Sequence, residues 1–204
     1  MNENKTEGKM NMTLEELAKI KYVFFDVDGV LSVPRYKNFD KEEYVSGFTD
    51  ENWLKFDIFS KHPYKDCIAP RAMKKFIHIL HKNRGLCKKI FCLTVDDNSF
   101  SYNSKKKFIK ENYPEITEEH ILWVASANMK TDVIRYIAER DKINTKECLL
   151  IEDTFQTIID AELMGISNLH VAGIPDLLTE IMDYRIITRP RNYDIIYDKA
   201  SKLF

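Results

Sequence analysis

The sequence predicts an α/β protein in which a central parallel sheet is flanked by helices. Five short runs rich in β-branched, aromatic or leucine residues are separated by longer stretches of helical periodicity, an alternation typical of this class. Each run is nearly continuous in apolar character, as expected of strands buried on both faces. The five predicted strands are Tyr22 to Phe25, Lys89 to Leu93, Ile121 to Ala125, Cys148 to Ile151 and Asn168 to Val171.

Three stretches between the predicted strands have the spacing of helices. The first begins at Pro70, which suits the first helical position because the missing N–H would have no partner there. The second covers Thr131 to Arg140. The third covers Phe155 to Met164 and is followed by Gly165, a residue that often terminates a helix.

The composition suits one compact domain and argues against several function classes. A chain of 204 residues with 44% apolar content can bury about 70% of its unfolded surface. With 31 basic and 32 acidic residues the net charge is −1, which gives no global field for nucleic acid or an anionic membrane. The four cysteines form no Cys-x-x-Cys pair, and no apolar run approaches the roughly 18 residues of a membrane span. We therefore expect a single domain over residues 1–204, a cytoplasmic location and no nucleic-acid or membrane partner, with the oligomeric state left open.

Two segments depart from the strand-helix alternation. Residues 32–67 have no clear rhythm but hold eight aromatic side chains, so this insertion can pack and is interpreted as a short aromatic-rich flap. The segment from residue 183 onward mixes isoleucines with charges and is interpreted as a C-terminal extension, which would suit an added strand, a packed arm or a dimer contact.

A pair of carboxylates directly follows the first predicted strand. Asp26 and Asp28 are separated by one residue, and Gly29 comes next. Ligands of open α/β sheets bind at the carboxyl ends of the strands, so this pair lies where a site is expected. An Asp-Gly turn without a function fits the same residues. A calcium loop fits them less well, because Val30 and Ser32 supply no further carboxylates.

Three further signals lie at predicted strand ends or helix starts. Thr94 follows an apolar run, where a hydroxyl and neighbouring N–H groups can hold phosphate oxygens. Lys130 precedes the helix near Thr131, so a cation and a helix N-terminus would face the same anion. Glu152 and Asp153 end the fourth predicted strand, and adjacent carboxylates repel unless a cation such as Mg²⁺ offsets them. Each signal also has a structural interpretation without a catalytic role. Thr94 would be an ordinary hydroxyl at a strand end, Lys130 a solvated surface lysine, and Glu152 with Asp153 an acidic helix cap.

Taken together, these residues resemble the haloacid dehalogenase (HAD) superfamily. The first motif of that superfamily is matched by Asp26-Val27-Asp28-Gly29-Val30, and the second by the apolar run that ends in Thr94. Lys130 matches the third motif, and Ile151-Glu152-Asp153-Thr154 matches the fourth. The resemblance spans about residues 22 to 171 and leaves the insertion and both termini outside it. It implies a Rossmann-like HAD fold.

The resemblance also implies Mg²⁺-dependent phosphoryl transfer through an aspartyl-phosphate. Asp26 would be the nucleophile, and Asp28 would be the general acid and base. Thr94 and Lys130 would hold the phosphoryl oxygens. The metal ligands would be Asp26, Asp153 and the backbone carbonyl of Asp28. The expected activity is a phosphatase that hydrolyses a small phosphorylated metabolite of the sugar phosphate or nucleotide class.

The fourth motif departs from the superfamily pattern, and two other functions stay open. Members often carry Gly-Asp or Asp-Asp there, whereas Glu152 precedes Asp153 in this chain, and Thr157 stands where the Gly-Asp type has a further acid. We expect Glu152 in the outer shell of the metal, where it orients other groups. A phosphomutase of the same superfamily would need tighter exclusion of water than a short flap gives. A non-catalytic phosphate-binding or receiver-like module would use a similar sheet.

Overall fold

A five-stranded parallel sheet is the centre of the fold. The computed structural model describes residues 11–33, 36–38, 43–45, 64–65, 67–83, 87–96 and 99–187. Within them the sheet consists of β1 (Tyr22–Phe25), β4 (Lys89–Val95), β5 (Ile121–Val124), β6 (Cys148–Glu152) and β7 (Ser167–His170). The strand order is β5-β4-β1-β6-β7, and every neighbouring pair is parallel. The predicted fold class is thereby confirmed.

Helices connect the strands and flank the sheet. The described α-helices are α1 (Leu14–Leu17), α2 (Arg71–Lys82), α3 (Ser99–Asn112), α4 (Met129–Arg140), α5 (Phe155–Leu163) and α6 (Ile174–Ile187). Short 3₁₀ helices cover Glu118–His120, Thr145–Glu147 and Val171–Gly173. No helix among the described residues combines the length and the apolar character needed to cross a bilayer.

Two apolar clusters, one on each face of the sheet, hold the layers together. Alternate side chains of a strand point to opposite faces, so Val23 and Phe25 join one cluster while Tyr22 and Phe24 join the other. The first cluster includes buried residues of α2, α3 and α6, and the second includes residues of α4 and α5. Because β1 is covered on both faces and paired on both edges, it fixes the position of whatever follows it.

The strand and helix predictions agree with the structure to within a few residues. The predicted strand from Tyr22 to Phe25 matches β1. The helix predicted from Pro70 begins at Arg71, since Pro70 has an extended ψ of 131° and occupies the N-cap. Gly165 follows Met164, the C-cap residue of α5, and has a φ of +67°, as predicted for a terminating residue.

The insertion and the C-terminal extension are described only in part. Within the predicted flap at residues 32–67, β2 (Tyr36–Asn38) and β3 (Glu43–Val45) pair in antiparallel fashion. The predicted C-terminal extension from residue 183 begins inside α6, and residues 188–204 fall outside the described residues. Of the eight aromatic side chains in the flap, that of Tyr64 is described, and it is buried.

Candidate active site

Asp26 lies at the carboxyl edge of the sheet, immediately after its central strand. Phe25 pairs with Cys92 of β4 and with Ile151 of β6. The chain continues in this register, because the Asp26 N–H donates to the Ile151 carbonyl at 3.0 Å. Asp26 is only 5% exposed. A carboxylate this buried needs charge or hydrogen-bond partners.

Lys130 is such a partner, and its ammonium group contacts two carboxylates that lie at adjacent strand ends. Its Nζ donates to Asp26 Oδ1 at 2.7 Å and to Glu152 Oε2 at 2.7 Å. Burial acts to lower the pKa of Lys130, but the two carboxylates outweigh it, so the pKa lies above the ordinary lysine value. The structure places Lys130 inside the first turn of α4, where it is buried.

Glu152 is the last residue of β6 and is almost completely buried. Its Oε1 accepts from the backbone N–H groups of Asp153 and Thr154 at 3.2 and 3.4 Å, while Oε2 accepts from Lys130. Burial raises the pKa of Glu152, and the nearby charge of Asp26 raises it further. Both carboxylate oxygens therefore already have N–H partners within the protein.

Asp153 completes a set of three carboxylates that could hold a metal ion. One oxygen from each of Asp26, Glu152 and Asp153 lies within 4.8 Å of the others. When ionised, these three carboxylates and the Lys130 ammonium leave two net negative charges. Oxygen ligands with this charge suit a hard divalent cation.

Gly29 gives Asp153 the space that this position needs. A Cβ atom at residue 29 would lie 1.9 Å from Asp153 Oδ2, and Gly29 has a φ of +82° that side chains disfavour. The glycine that follows the two acids of the first motif thus allows the fourth motif to approach. A glycine is required here both for its backbone conformation and for its small size.

Gly29→Ala is expected to reduce affinity for a divalent cation by about 10–100-fold, because the new methyl group must displace Asp153. Gly165→Ala is the matched control. Its φ of +67° imposes similar backbone strain, but its Cβ would lie 3.7 Å from the nearest atom, Thr145 Oγ1. Both variants should lose about 1–2 kcal/mol of stability from the left-handed conformation. Calorimetric titration with Mg²⁺ measures the difference, and equal affinity in the two variants would contradict the steric role of Gly29.

Asp28 lies beside this carboxylate set and is held through both of its oxygens. Tyr64 OH donates to Oδ1 at 2.6 Å, and Lys105 Nζ lies 2.8 Å from Oδ2. Burial raises the pKa of Asp28; Lys105 lowers it, and Asp26 raises it again, so that it lies above the usual aspartate value. This raised pKa is a shift in the direction that a general acid requires.

Thr94 lies inside β4, one residue before its end, and is buried. It pairs with Trp123 of β5. Its Oγ1 accepts a hydrogen bond from Lys105 Nζ at 3.1 Å and donates one to the Val95 carbonyl at 3.3 Å. Lys105 therefore contacts both Thr94 and Asp28 and links the second motif to the first.

Two residues of the site, Lys105 and Tyr64, were not predicted from the sequence. Lys105 belongs to the run Lys105-Lys106-Lys107, whose composition favours a solvated helix face, but it is only 4% exposed. A signal was present, because Ser101, Lys105, Phe108 and Ile109 recur at helical spacing and all four are buried. Tyr64 reaches Asp28 from 36 residues away, and no local pattern indicates that contact.

The fold and these side chains define an α/β protein with a cluster of carboxylates at the carboxyl ends of its parallel strands. No protein-family model matches the chain, and no curated protein matches it. Solved structures with a similar fold are found.

One of them is a haloacid dehalogenase-like hydrolase from Streptococcus pneumoniae, with a TM-score of 0.48 and 17% identity over 79% of this chain and 91% of that one. Another is a HAD family enzyme from Bacteroides thetaiotaomicron in complex with magnesium, with a TM-score of 0.45 and 14% identity over 74% of this chain and 93% of that one. A third is 3-deoxy-D-manno-octulosonate 8-phosphate phosphatase from Moraxella catarrhalis, with a TM-score of 0.35 and 15% identity over 68% of this chain and 60% of that one.

Two of these structures are described as haloacid dehalogenase proteins and the third as a phosphatase. All three identities are 17% or lower. The function of this chain therefore has to be inferred from its own side chains.

Proposed function

We propose that this chain is a Mg²⁺-dependent phosphatase of the HAD type, which hydrolyses a small phosphomonoester through an aspartyl-phosphate at Asp26. The sugar phosphates and nucleotides are the proposed substrate classes. The observation that carries the proposal is the double contact of the Lys130 ammonium with Asp26 and Glu152, beside Asp153. It joins side chains from three separate motifs, which supports a shared site for phosphoryl transfer.

The three carboxylates fit Mg²⁺ by their chemistry. All offer hard oxygen ligands, and their net charge together with Lys130 is balanced by a divalent ion. Asp26 and Asp153 would hold the ion with the backbone carbonyl of Asp28, while Glu152, whose oxygens have N–H partners, would orient Lys130. Bound there, Mg²⁺ would supply a Lewis acid that offsets the repulsion between a carboxylate and a phosphate dianion.

In the first step a carboxylate oxygen of Asp26 attacks phosphorus. The new bond joins Asp26 to phosphorus as the bond between phosphorus and the substrate oxygen breaks, and the proton of Asp28 moves to that oxygen to release an alcohol. Thr94 and Lys130 hold the phosphoryl oxygens while their charge is redistributed. Asp28 is left as a carboxylate beside Lys105 and Tyr64.

In the second step Asp28 accepts a proton from a water molecule that attacks the aspartyl-phosphate. The bond between Asp26 and phosphorus breaks, which releases inorganic phosphate and restores the Asp26 carboxylate. Asp28 regains the proton that it lost in the first step, so both residues end as they began. One residue thus serves as acid and then as base.

A phosphate-release assay on a panel of phosphomonoesters tests the proposal. The panel contains sugar phosphates, nucleotides, alkyl phosphates and p-nitrophenyl phosphate, each with Mg²⁺ and with excess EDTA. We expect release from at least one class with Mg²⁺, a fall to background with EDTA, and recovery when Mg²⁺ is added back. Absence of release from every compound, or equal release in EDTA, would overturn the proposed function.

A further inference from the structure

The burial of Lys105 is a feature that the steps above do not require. Lys105 is 4% exposed, whereas the side chain of Lys107 on the same helix is 78% exposed. Removing an ammonium group from water is costly unless it is paired and hydrogen-bonded. The contacts that stabilise the Lys105 ammonium therefore indicate the role of this buried side chain.

The ammonium group of Lys105 binds the ends of two strands together. Its Nζ donates to the Val95 carbonyl at 2.6 Å and to Thr94 Oγ1 at 3.1 Å, both on β4. It lies 2.8 Å from Asp28 Oδ2 in the segment that follows β1. A lysine ammonium has three N–H donors, and these three acceptors use all of them. Asp96 Oδ2, at 3.5 Å, adds a second carboxylate.

We propose that Lys105 is a positioning residue that holds the Asp28 carboxyl group for proton transfer and orients the Thr94 hydroxyl towards the phosphoryl group. This inference rests on the proposed function. Asp28 follows a strand end, so its side-chain direction is set by its partners. Lys105 holds one carboxyl oxygen and Tyr64 holds the other, which fixes the plane of the carboxyl group.

The same ammonium sets the role of the Thr94 hydroxyl. A hydroxyl has one proton to donate and two acceptor positions. Thr94 Oγ1 accepts from Lys105 and donates its own proton to the Val95 carbonyl at 3.3 Å, a long contact that this proton must exchange for an acceptor in the site. A phosphoryl oxygen is the acceptor that the proposed reaction supplies. Lys105 thus contacts both the proposed proton-transfer group, Asp28, and the proposed phosphate-binding group, Thr94.

Dependence on the leaving group separates this role from a general structural one. A nitrophenolate leaves readily without protonation, whereas an alkoxide needs the proton of Asp28. We therefore compare kcat/KM, which reports the steps up to loss of the alcohol, on p-nitrophenyl phosphate and on the alkyl phosphomonoester that the native chain hydrolyses fastest. The ratio of the two values measures proton transfer, and a loss common to both substrates measures phosphate binding.

Lys105→Met should lower kcat/KM for the alkyl substrate about 10²-fold more than for p-nitrophenyl phosphate. Asp28→Asn, the reference for lost proton transfer, should shift the ratio in the same direction by about 10²–10⁴-fold. Thr94→Val should lower both values without changing the ratio. Lys107→Met is the matched control on the exposed face and should behave as the native chain.

Lys105→Met also leaves Asp28 and Asp96 without this cation, so a second variant guards against misfolding. Lys105→Met with Asp96→Asn removes one of the two carboxylates and should show the same change in ratio. An unchanged ratio in the folded Lys105 variants, with the expected change in Asp28→Asn, would overturn the role of Lys105 alone. An unchanged ratio in Asp28→Asn, or an inactive native chain, would instead overturn the proposed function on which the inference rests.

Discussion

Asp26→Asn is expected to abolish phosphate release from every substrate in the panel. The amide keeps the shape of the side chain but is a very poor nucleophile, so no aspartyl-phosphate forms. Removal of a catalytic nucleophile costs on the order of 10⁴–10⁶-fold in turnover. The measurement is single-substrate kinetics at saturating Mg²⁺, with retention of full activity as the result that would contradict the assignment of Asp26.

The stability of Asp26→Asn distinguishes a chemical loss from a folding defect. Lys130 keeps its contact with Glu152 in this variant, and one carboxylate is removed from a cluster whose charges repel one another. Without metal, the midpoint of thermal unfolding should therefore equal or exceed the native value. Stabilisation by Mg²⁺, which is about 2.7 kcal/mol when the free ion is at 100 times Kd, should be smaller than in the native chain. A large fall in the midpoint would point to misfolding instead.

The sheet could be predicted from the sequence because its strands are nearly uniform in character. Tyr22 to Phe25 are all buried in the structure, and a continuous apolar run of this kind has few other solutions. The first and last residues of the helices were harder to predict from the sequence. Pro70 was predicted as the first helical residue, but its backbone is extended and the helix begins one residue later. Helix ends depend on local capping geometry as well as on periodicity.

The residues of the candidate site could be predicted in part, because several follow strands whose ends lie side by side. Asp26 and Asp153 are brought together by the parallel pairing of β1 with β6. Lys130 could be placed at a helix start, but its double contact with Asp26 and Glu152 depends on how α4 packs on the sheet. How α4 packs on the sheet depends on tertiary contacts, so it cannot be predicted from the spacing of residues along the chain.

Lys105 and Tyr64 could not be predicted as site residues for a different reason, because their partners come from distant segments of the chain. Lys105 sits in a row of lysines, and composition favours solvent for each of them. Its burial becomes favourable only when Asp28, Thr94 and Val95 arrive from other segments to accept its hydrogen bonds. A lysine that lies at helical spacing from apolar residues such as Phe108 and Ile109 is therefore informative even where its partners are distant in sequence.

Lys130→Met is expected to destabilise the protein strongly as well as to remove activity. The substitution retains a similar volume but leaves Asp26 and Glu152, which are 5% and 1% exposed, without their shared cation. Breaking a buried ion pair by removing one partner costs about 3–5 kcal/mol. In a chain of this length that corresponds to a fall of roughly 6–20 °C in the midpoint of thermal unfolding, measured by circular dichroism without metal.

Two further variants show whether the loss comes from the uncompensated carboxylates. Lys107→Met, on the exposed side of α3, should change stability by less than about 0.5 kcal/mol. Adding Glu152→Gln to Lys130→Met removes one of the two stranded carboxylates and should restore part of the midpoint, because neighbouring substitutions in one charge network are not additive. Mg²⁺ should also raise the midpoint of Lys130→Met, since the ion offsets the same charges. If neither Glu152→Gln nor Mg²⁺ recovers any stability, the buried contacts of Lys130 with Asp26 and Glu152 do not have the role assigned to them.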